Sequence, residues 1–181
     1  MKKTIFTVIA FLMLSYVAFA AGTCVVTDIT STQIASVNNR VPDSYTVDIK
    51  LACTADSGGN VTVTSVPVSG YYPQTYLNVY NITGYYLYQV RRTPGNNSAA
   101  VVSCTSTCPA ASYSVTITDT SGFALDLALL TSNGSATATQ LTGIYNTTTV
   151  YPIVSSDLTV AVTGLTNSGA KVTIDLILKS Q

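Results

Sequence analysis

The chain has 181 residues, no His, no Trp and eight acidic against eight basic side chains. The only adjacent basic pair in the body of the chain is Arg91–Arg92, so there is no electrostatic footprint for nucleic acid or anionic lipid, both of which need clustered cations. Without His, the Ser-His-Asp and Cys-His arrangements are excluded, together with the commonest general base.

Residues 1–20 read as a signal peptide. Lys2 and Lys3 form a basic start, Thr4 to Val17 is uncharged and mostly apolar, and Ala18-Phe19-Ala20 supplies the small-x-small cleavage pattern. The apolar run is too short for a membrane span, and no later stretch reaches the length one needs. Export to the periplasm, cell surface or extracellular space is expected, with Ala21 as the first mature residue. Without Lys2 and Lys3, six basic residues face eight acids, all of them Asp, which gives a mature net charge of −2. Residues 21–181 are long enough for one domain with a real core.

Taken in order, "AGTCVVTDIT" is strand-like, and "YTVDIKLAC" sets Tyr45, Val47, Ile49, Leu51 and Cys53 against Thr46, Asp48, Lys50 and Ala52. That is period two, with one face buried and one wet. "DSGG" at 56–59 is expected to join the strands at 45–54 and 60–66 as a hairpin. Further on, "TPGNNSAA" at 93–100 reads as a long loop, "YSVTIT" as a strand, and "GFALDLALLTS" as either strand or short helix. The last two runs, "DLTVAVTG" and "KVTIDLIL", flank "NSG" at 167–169 and are expected to form a hairpin. Strands recur between turn signals, and no long helical period intervenes. The expected fold is all-β: an antiparallel β-sandwich of jelly-roll or Ig-like topology.

Cys24, Cys53, Cys104 and Cys108 are an even set in an exported chain, where disulfides are the default, and three connectivities are open. Cys24–Cys53 is favoured because each ends a strand-like run, and Cys104–Cys108 because "CTSTC" closes a tiny loop. A four-thiolate zinc site lacks the two close pairs it would need. The Asp residues are spread singly, and turn or surface roles account for them. Asp48 and Asp175 fall on outward strand positions, while Asp56, Asp119 and Asp157 fall at turns. No catalytic residue, cofactor site or metal site is expected, and no calcium loop is present.

Seven of the twelve tyrosines lie in one window: Tyr71, Tyr72, Tyr76, Tyr80, Tyr85, Tyr86 and Tyr88. The window splits at "NITG" into "YLNVYNI" and "YYLYQVRR", read as two strands of a hairpin insertion at about 71–88. In the second run, Tyr86, Tyr88 and Val90 are expected on one face, opposite Tyr85, Leu87 and Gln89. Aromatics on both faces point to an interface with itself or with other assembly subunits, since tyrosine offers rigid area plus a hydroxyl. Surface glycans are the alternative partner, although sugar platforms lean on Trp as well. Cross-strand core packing is the plain structural role.

The order "VDIKLACTADSGGNVTVTSVPVSG", "GYYLYQVRRTPG", "ASYSVTITDTSGFALDLALL", "NGSATATQ" and "PIVSSDLTVAVTGLTNSGAKVTIDLILK" resembles small β proteins of tailed bacteriophages and prophages. The likeness covers residues 45–179 and includes no catalytic motif. It implies a virion structural or capsid-associated role, in which a sandwich serves assembly. The signal peptide, the insertion "YYPQTYLNVYNIT" and the added Cys24, Cys104 and Cys108 depart from that pattern. They imply a related fold used outside the cytoplasm, as in an extracellular fibre or surface layer.

Overall fold

The computed structural model describes residues 21–34, 44–72, 75–95, 107–119, 130–135, 140–143 and 153–180. The expected signal peptide, Cys104 and most of the segment "GFALDLALLTS" lie outside the described residues. The described residues contain no helix. In chain order the strands are β1 (Thr23–Ile34), β2 (Ser44–Thr54), β3 (Thr64–Val66), β4 (Ser69–Tyr72), β5 (Thr75–Asn81) and β6 (Tyr86–Pro94). They continue with β7 (Tyr113–Asp119), β8 (Leu130–Gly134), β9 (Gln140–Gly143), β10 (Leu158–Thr163) and β11 (Lys171–Lys179).

The fold is an antiparallel β-sandwich. One sheet has the order β1-β2-β11-β6-β9, and the other β3-β10-β7-β8. The pairings are nested: β2 lies on β11, β3 on β10, β6 on β9 and β7 on β8. That is one long antiparallel ribbon rolled so that its two arms contribute alternately to two sheets, which defines a jelly roll. β1 adds an edge strand beside β2.

The inward positions follow the period-two pattern of the sequence. Val47, Ile49, Leu51 and Cys53 of β2 face Val115 and Ile117 of β7 across a single apolar core, and all are buried. β7 alternates buried and half-buried residues along its whole length, beginning and ending on a buried one. Cys24 and Cys53 sit directly opposite each other on β1 and β2 and are joined by a disulfide. Cys108 is also disulfide-bonded, and no described cysteine is free.

Three expectations about neighbours are corrected. The runs flanking "DSGG" do not pair with each other: β2 pairs with β1 and β11, and β3, confined to Thr64–Val66, pairs with β10 in the other sheet. The runs flanking "NSG" are strands, but they do not form a hairpin: β10 pairs with β3 and β7, whereas β11 pairs with β2 and β6. Residues 164–170 instead carry the chain between the sheets, turning at Gly164 and Gly169, both at positive φ. The runs flanking "NITG" are also strands that do not pair with each other. β5 pairs with β4 to give a separate two-stranded ribbon, and β6 joins the large sheet. "NITG" is therefore a corner. Thr83 N donates to Asn81 Oδ1 at 2.9 Å, Tyr85 N donates to Ile82 O at 3.0 Å, and Gly84 has φ 82°.

The expected face assignment within β6 is corrected as well. β6 shifts register against β11 where Ile177 lies opposite Gln89 and Leu178 opposite Leu87, which leaves Tyr88 as the extra residue of a bulge. A bulge reverses the alternation beyond it. Leu87 and Val90 thus both face the core and are fully buried.

Candidate functional site

The β4–β5 ribbon stands outside the nested pairing, between β3 and β6 in the chain. Its base is fixed to the body: Ile82 N donates to Val68 O, Gly84 N to Val154 O, and Val68 N to Asp157 Oδ1, at 2.8–2.9 Å. Successive cross-strand pairs alternate between its two faces. The pair Gly70–Tyr80 turns inward: Tyr80 is buried, its ring packs on Gly70, and its hydroxyl donates to Pro67 O at 3.1 Å. The next pair, Tyr71–Val79, turns outward and is 61 % and 64 % exposed. No charged residue occurs between Asp56 and Arg91, so the whole ribbon is electrically neutral.

The seven tyrosines singled out in the sequence do not form one surface. Tyr71 is exposed, Tyr80 belongs to the core, and Tyr85 is partly buried against it. Tyr86 and Tyr88 are half-buried in β6, and the Lys179 ammonium lies 3.6 Å from the centre of the Tyr88 ring. Tyr72 and Tyr76 lie on β4 and β5, with side chains outside the described residues. Val79 was not among the sequence candidates. Its signal is its place opposite Tyr71, which a pairing of β5 with β6 across "NITG" hides. Exposed Tyr45 and Ile153 lie at the same end of the sandwich, Tyr45 beside the end of β11 and Ile153 bridged to Tyr86.

The acidic groups form a second constellation. Asp28, Lys50, Asp175 and Arg91 stand in one cross-strand row over β1, β2, β11 and β6, with charges alternating in sign. Arg91 Nε is 2.5 Å from Asp175 Oδ2. Asp175 does take the expected outward position, but it is buried rather than solvated, at 2 % exposure. Asp48 sits diagonally from it. Burial pushes the Asp48 carboxyl above the usual 3.8, the Asp175 charge adds to this, and Arg91 and Lys50 oppose it. Asp48 Oδ1 and Asp175 Oδ1 are both buried without a hydrogen-bond partner among the described residues.

Asp119, expected at a turn, closes β7 as a buried carboxylate. Its oxygens accept from the backbone N–H and hydroxyl groups of Ser155 and Ser156. That network anchors the segment entering β10. Asp56, by contrast, is the expected turn carboxylate: it accepts from Asn60 N and Gly58 N, and these bonds hold it below the usual carboxylate range. The described residues contain no group of three potential metal ligands, and no described helix is long and apolar enough to cross a membrane.

No protein-family model matches the chain, and no curated protein does. Among solved structures, the arabinose-bound MgGH51 α-L-arabinofuranosidase is similar over 89 % of this chain and 23 % of its own, at 12 % identity and a TM-score of 0.27. The chain spans less than a quarter of that enzyme's length, and a likeness this weak carries no functional argument.

Proposed function

We propose that the protein is an exported, non-enzymatic structural subunit or decoration of an extracellular or virion-like assembly, and that the ribbon is its contact surface. The observation that carries this reading is the outward pair Tyr71–Val79 on an uncharged ribbon outside the jelly roll. Burying such a pair against a partner gains apolar area with no charge to desolvate. Two further points support it. The disulfide between Cys24 and Cys53 suits an oxidising compartment, and the low charge of the chain leaves few groups to desolvate at a contact. Jelly rolls also serve in capsids and in lectins, which agrees with the likeness to phage structural proteins by fold analogy alone.

The constellations that could have suggested chemistry support the same conclusion. Asp175 is held by Arg91 and closed off by its neighbours, and Asp119 is committed to Ser155 and Ser156. A glycan platform fits less well. Tyr71 has apolar Val79 beside it rather than a hydrogen-bonding group, and Lys179 already occupies the Tyr88 ring. Size-exclusion chromatography with negative-stain microscopy tests the proposal. Ordered particles or oligomers are expected; a strictly monomeric protein at high concentration, with no ordered assembly, would remove it.

A further inference from the structure

We infer that Asn81 is an N-glycosylation site, its side-chain amide being the acceptor for an oligosaccharide. This rests on the export part of the reading above and not on the assembly part. Asn-x-Ser/Thr, with x other than Pro, is the acceptor triplet for sugar transfer to asparagine in exported proteins. It occurs five times, at Asn60, Asn81, Asn96, Asn133 and Asn146, and a chain so rich in Asn, Ser and Thr yields such triplets readily. The structure separates them. Asn96 and Asn146 lie outside the described residues, as does the side chain of Asn133.

Asn81-Ile82-Thr83 straddles the corner between β5 and β6. Ile82 is fully buried and anchors the corner, while Asn81 and Thr83 on either side of it are exposed. Asn81 Oδ1 accepts from Thr83 N at 2.9 Å, whereas Asn81 Nδ2 and the Thr83 hydroxyl bond to none of the described residues. The space beside the corner is open: a Cβ on Gly84 would meet nothing within 4 Å. Asn60 is the contrast. Its Nδ2 lies 3.5 Å from Asp56 Oδ1 and 2.9 Å from where a Cβ on Gly58 would stand, and Thr62 Oγ1 donates to Gly22 O at 2.6 Å. Sugar transfer at Asn60 has to disturb these contacts. At Asn81 it disturbs none, because the bond to Thr83 N uses the amide oxygen, which the modified side chain keeps.

In the transfer, Asn81 Nδ2 forms a bond to the anomeric carbon of the sugar and loses one proton. The bond from that carbon to the phosphate oxygen of a lipid-phosphate-linked oligosaccharide breaks, and the phosphate leaves with the electron pair. Asn81 shares the outward side of β5 with Val79, two residues away. The glycan therefore stands at the rim of the proposed contact surface, where polar and solvated groups belong.

The test is the intact mass of the full chain made in its own cells, wild type beside Asn81→Gln, Thr83→Ala and Thr83→Ser. Exported wild type should exceed the mass of residues 21–181 by whole sugar units, and glycopeptide sequencing should place them on Asn81. Asn81→Gln and Thr83→Ala should lose all of that excess. Thr83→Ser should keep it, because the acceptor triplet needs the hydroxyl and not the methyl group. Thr83→Ala retains the bond from the backbone to Asn81 Oδ1, so it reports on the acceptor even where Asn81→Gln upsets the corner. Exported wild type at its bare sequence mass overturns the inference and leaves the export reading standing. Excess mass that survives both Asn81→Gln and Thr83→Ala puts the modification elsewhere and overturns it too. Unmodified protein confined to the cytoplasm removes the export reading and this inference together. Protein that carries the sugar on Asn81 yet stays strictly monomeric upholds the inference while the assembly proposal falls.

Discussion

The ring of Tyr113 fills the space that a side chain at Gly134 would need. The two residues are direct cross-strand partners on β7 and β8, and a Cβ at position 134 would come within 2.2 Å of Tyr113 Cζ. Glycine is thus required by a neighbour's ring, not by a turn. Gly134→Ala should lower stability by about 1–3 kcal/mol, the usual range for overpacking, measured by urea unfolding. Tyr113→Phe should behave in the opposite way. The Tyr113 hydroxyl is buried without a partner among the described residues, and burial pushes its pKa up to about 12. Removing an unsatisfied polar group is neutral or mildly stabilising. A loss as large as that of Gly134→Ala would mean the hydroxyl has a partner.

The strands themselves were legible because one face of each is buried. "YTVDIKLAC", "YSVTIT" and "KVTIDLIL" announce their inward residues by alternation, and β2, β7 and β11 follow it, apart from buried Asp175 and from Tyr45, which the alternation places on the buried face but which is exposed at the end of β2. Pairing was less legible. A turn signal such as "NSG" marks a reversal, but it does not say whether the next strand returns to the same sheet or crosses to the other. In a jelly roll, most partners are distant in sequence. The bulge at Tyr88 also has no residue signature, so plain alternation groups Val90 with Tyr86 and Tyr88 although it shares the core face with Leu87. At the candidate site, the tyrosine cluster drew attention to the right segment, but composition cannot separate Tyr80, turned to the core, from Tyr71, turned to solvent.

Asp48 should make the fold more stable as the medium becomes moderately acidic. Its folded-state pKa is raised above 3.8, chiefly by burial. The folded protein therefore binds this proton more tightly than the unfolded chain does. The associated stabilisation is full below 3.8 and is lost as pH rises through the raised value. Asp48→Asn should accordingly melt higher than wild type near pH 7, and the gap should close as pH falls toward 4. Thermal scans of both proteins across that range check the sign. A variant that melts lower at pH 7 would show that the charged carboxylate is favourably held.

The disulfide between Cys24 and Cys53 closes a loop with a sequence separation of 29. On loop entropy alone, a closure of this size is worth about 3–4 kcal/mol. It also fastens the edge strand β1 to β2 at the start of their pairing. Cys24→Ser/Cys53→Ser should lower the denaturation midpoint without changing β content by circular dichroism. Thiol counting by mass spectrometry, with and without reductant, should find no free thiol in the untreated protein. Free Cys24 and Cys53 in protein recovered after export would contradict the assignment.

Arg91 and Asp175 are an unequal pair, and the inequality sets what each substitution does. The Asp175 side chain is 3 % exposed and that of Arg91 is 35 %. Removing Arg91 strands a buried carboxylate, whereas removing Asp175 leaves a guanidinium that can reach water. Loss of one partner of a buried pair costs about 3–5 kcal/mol. Lys50, on the other side of Asp175 in the same row, should reduce that to about 2–3 kcal/mol for Arg91→Ala. Asp175→Asn should cost less, and Arg91→Ala should cost much less when made in the Asp175→Asn background. A double-mutant cycle by denaturant unfolding measures this directly. Additive losses would show that the two side chains contribute independently and that the alternating row does not act as a unit.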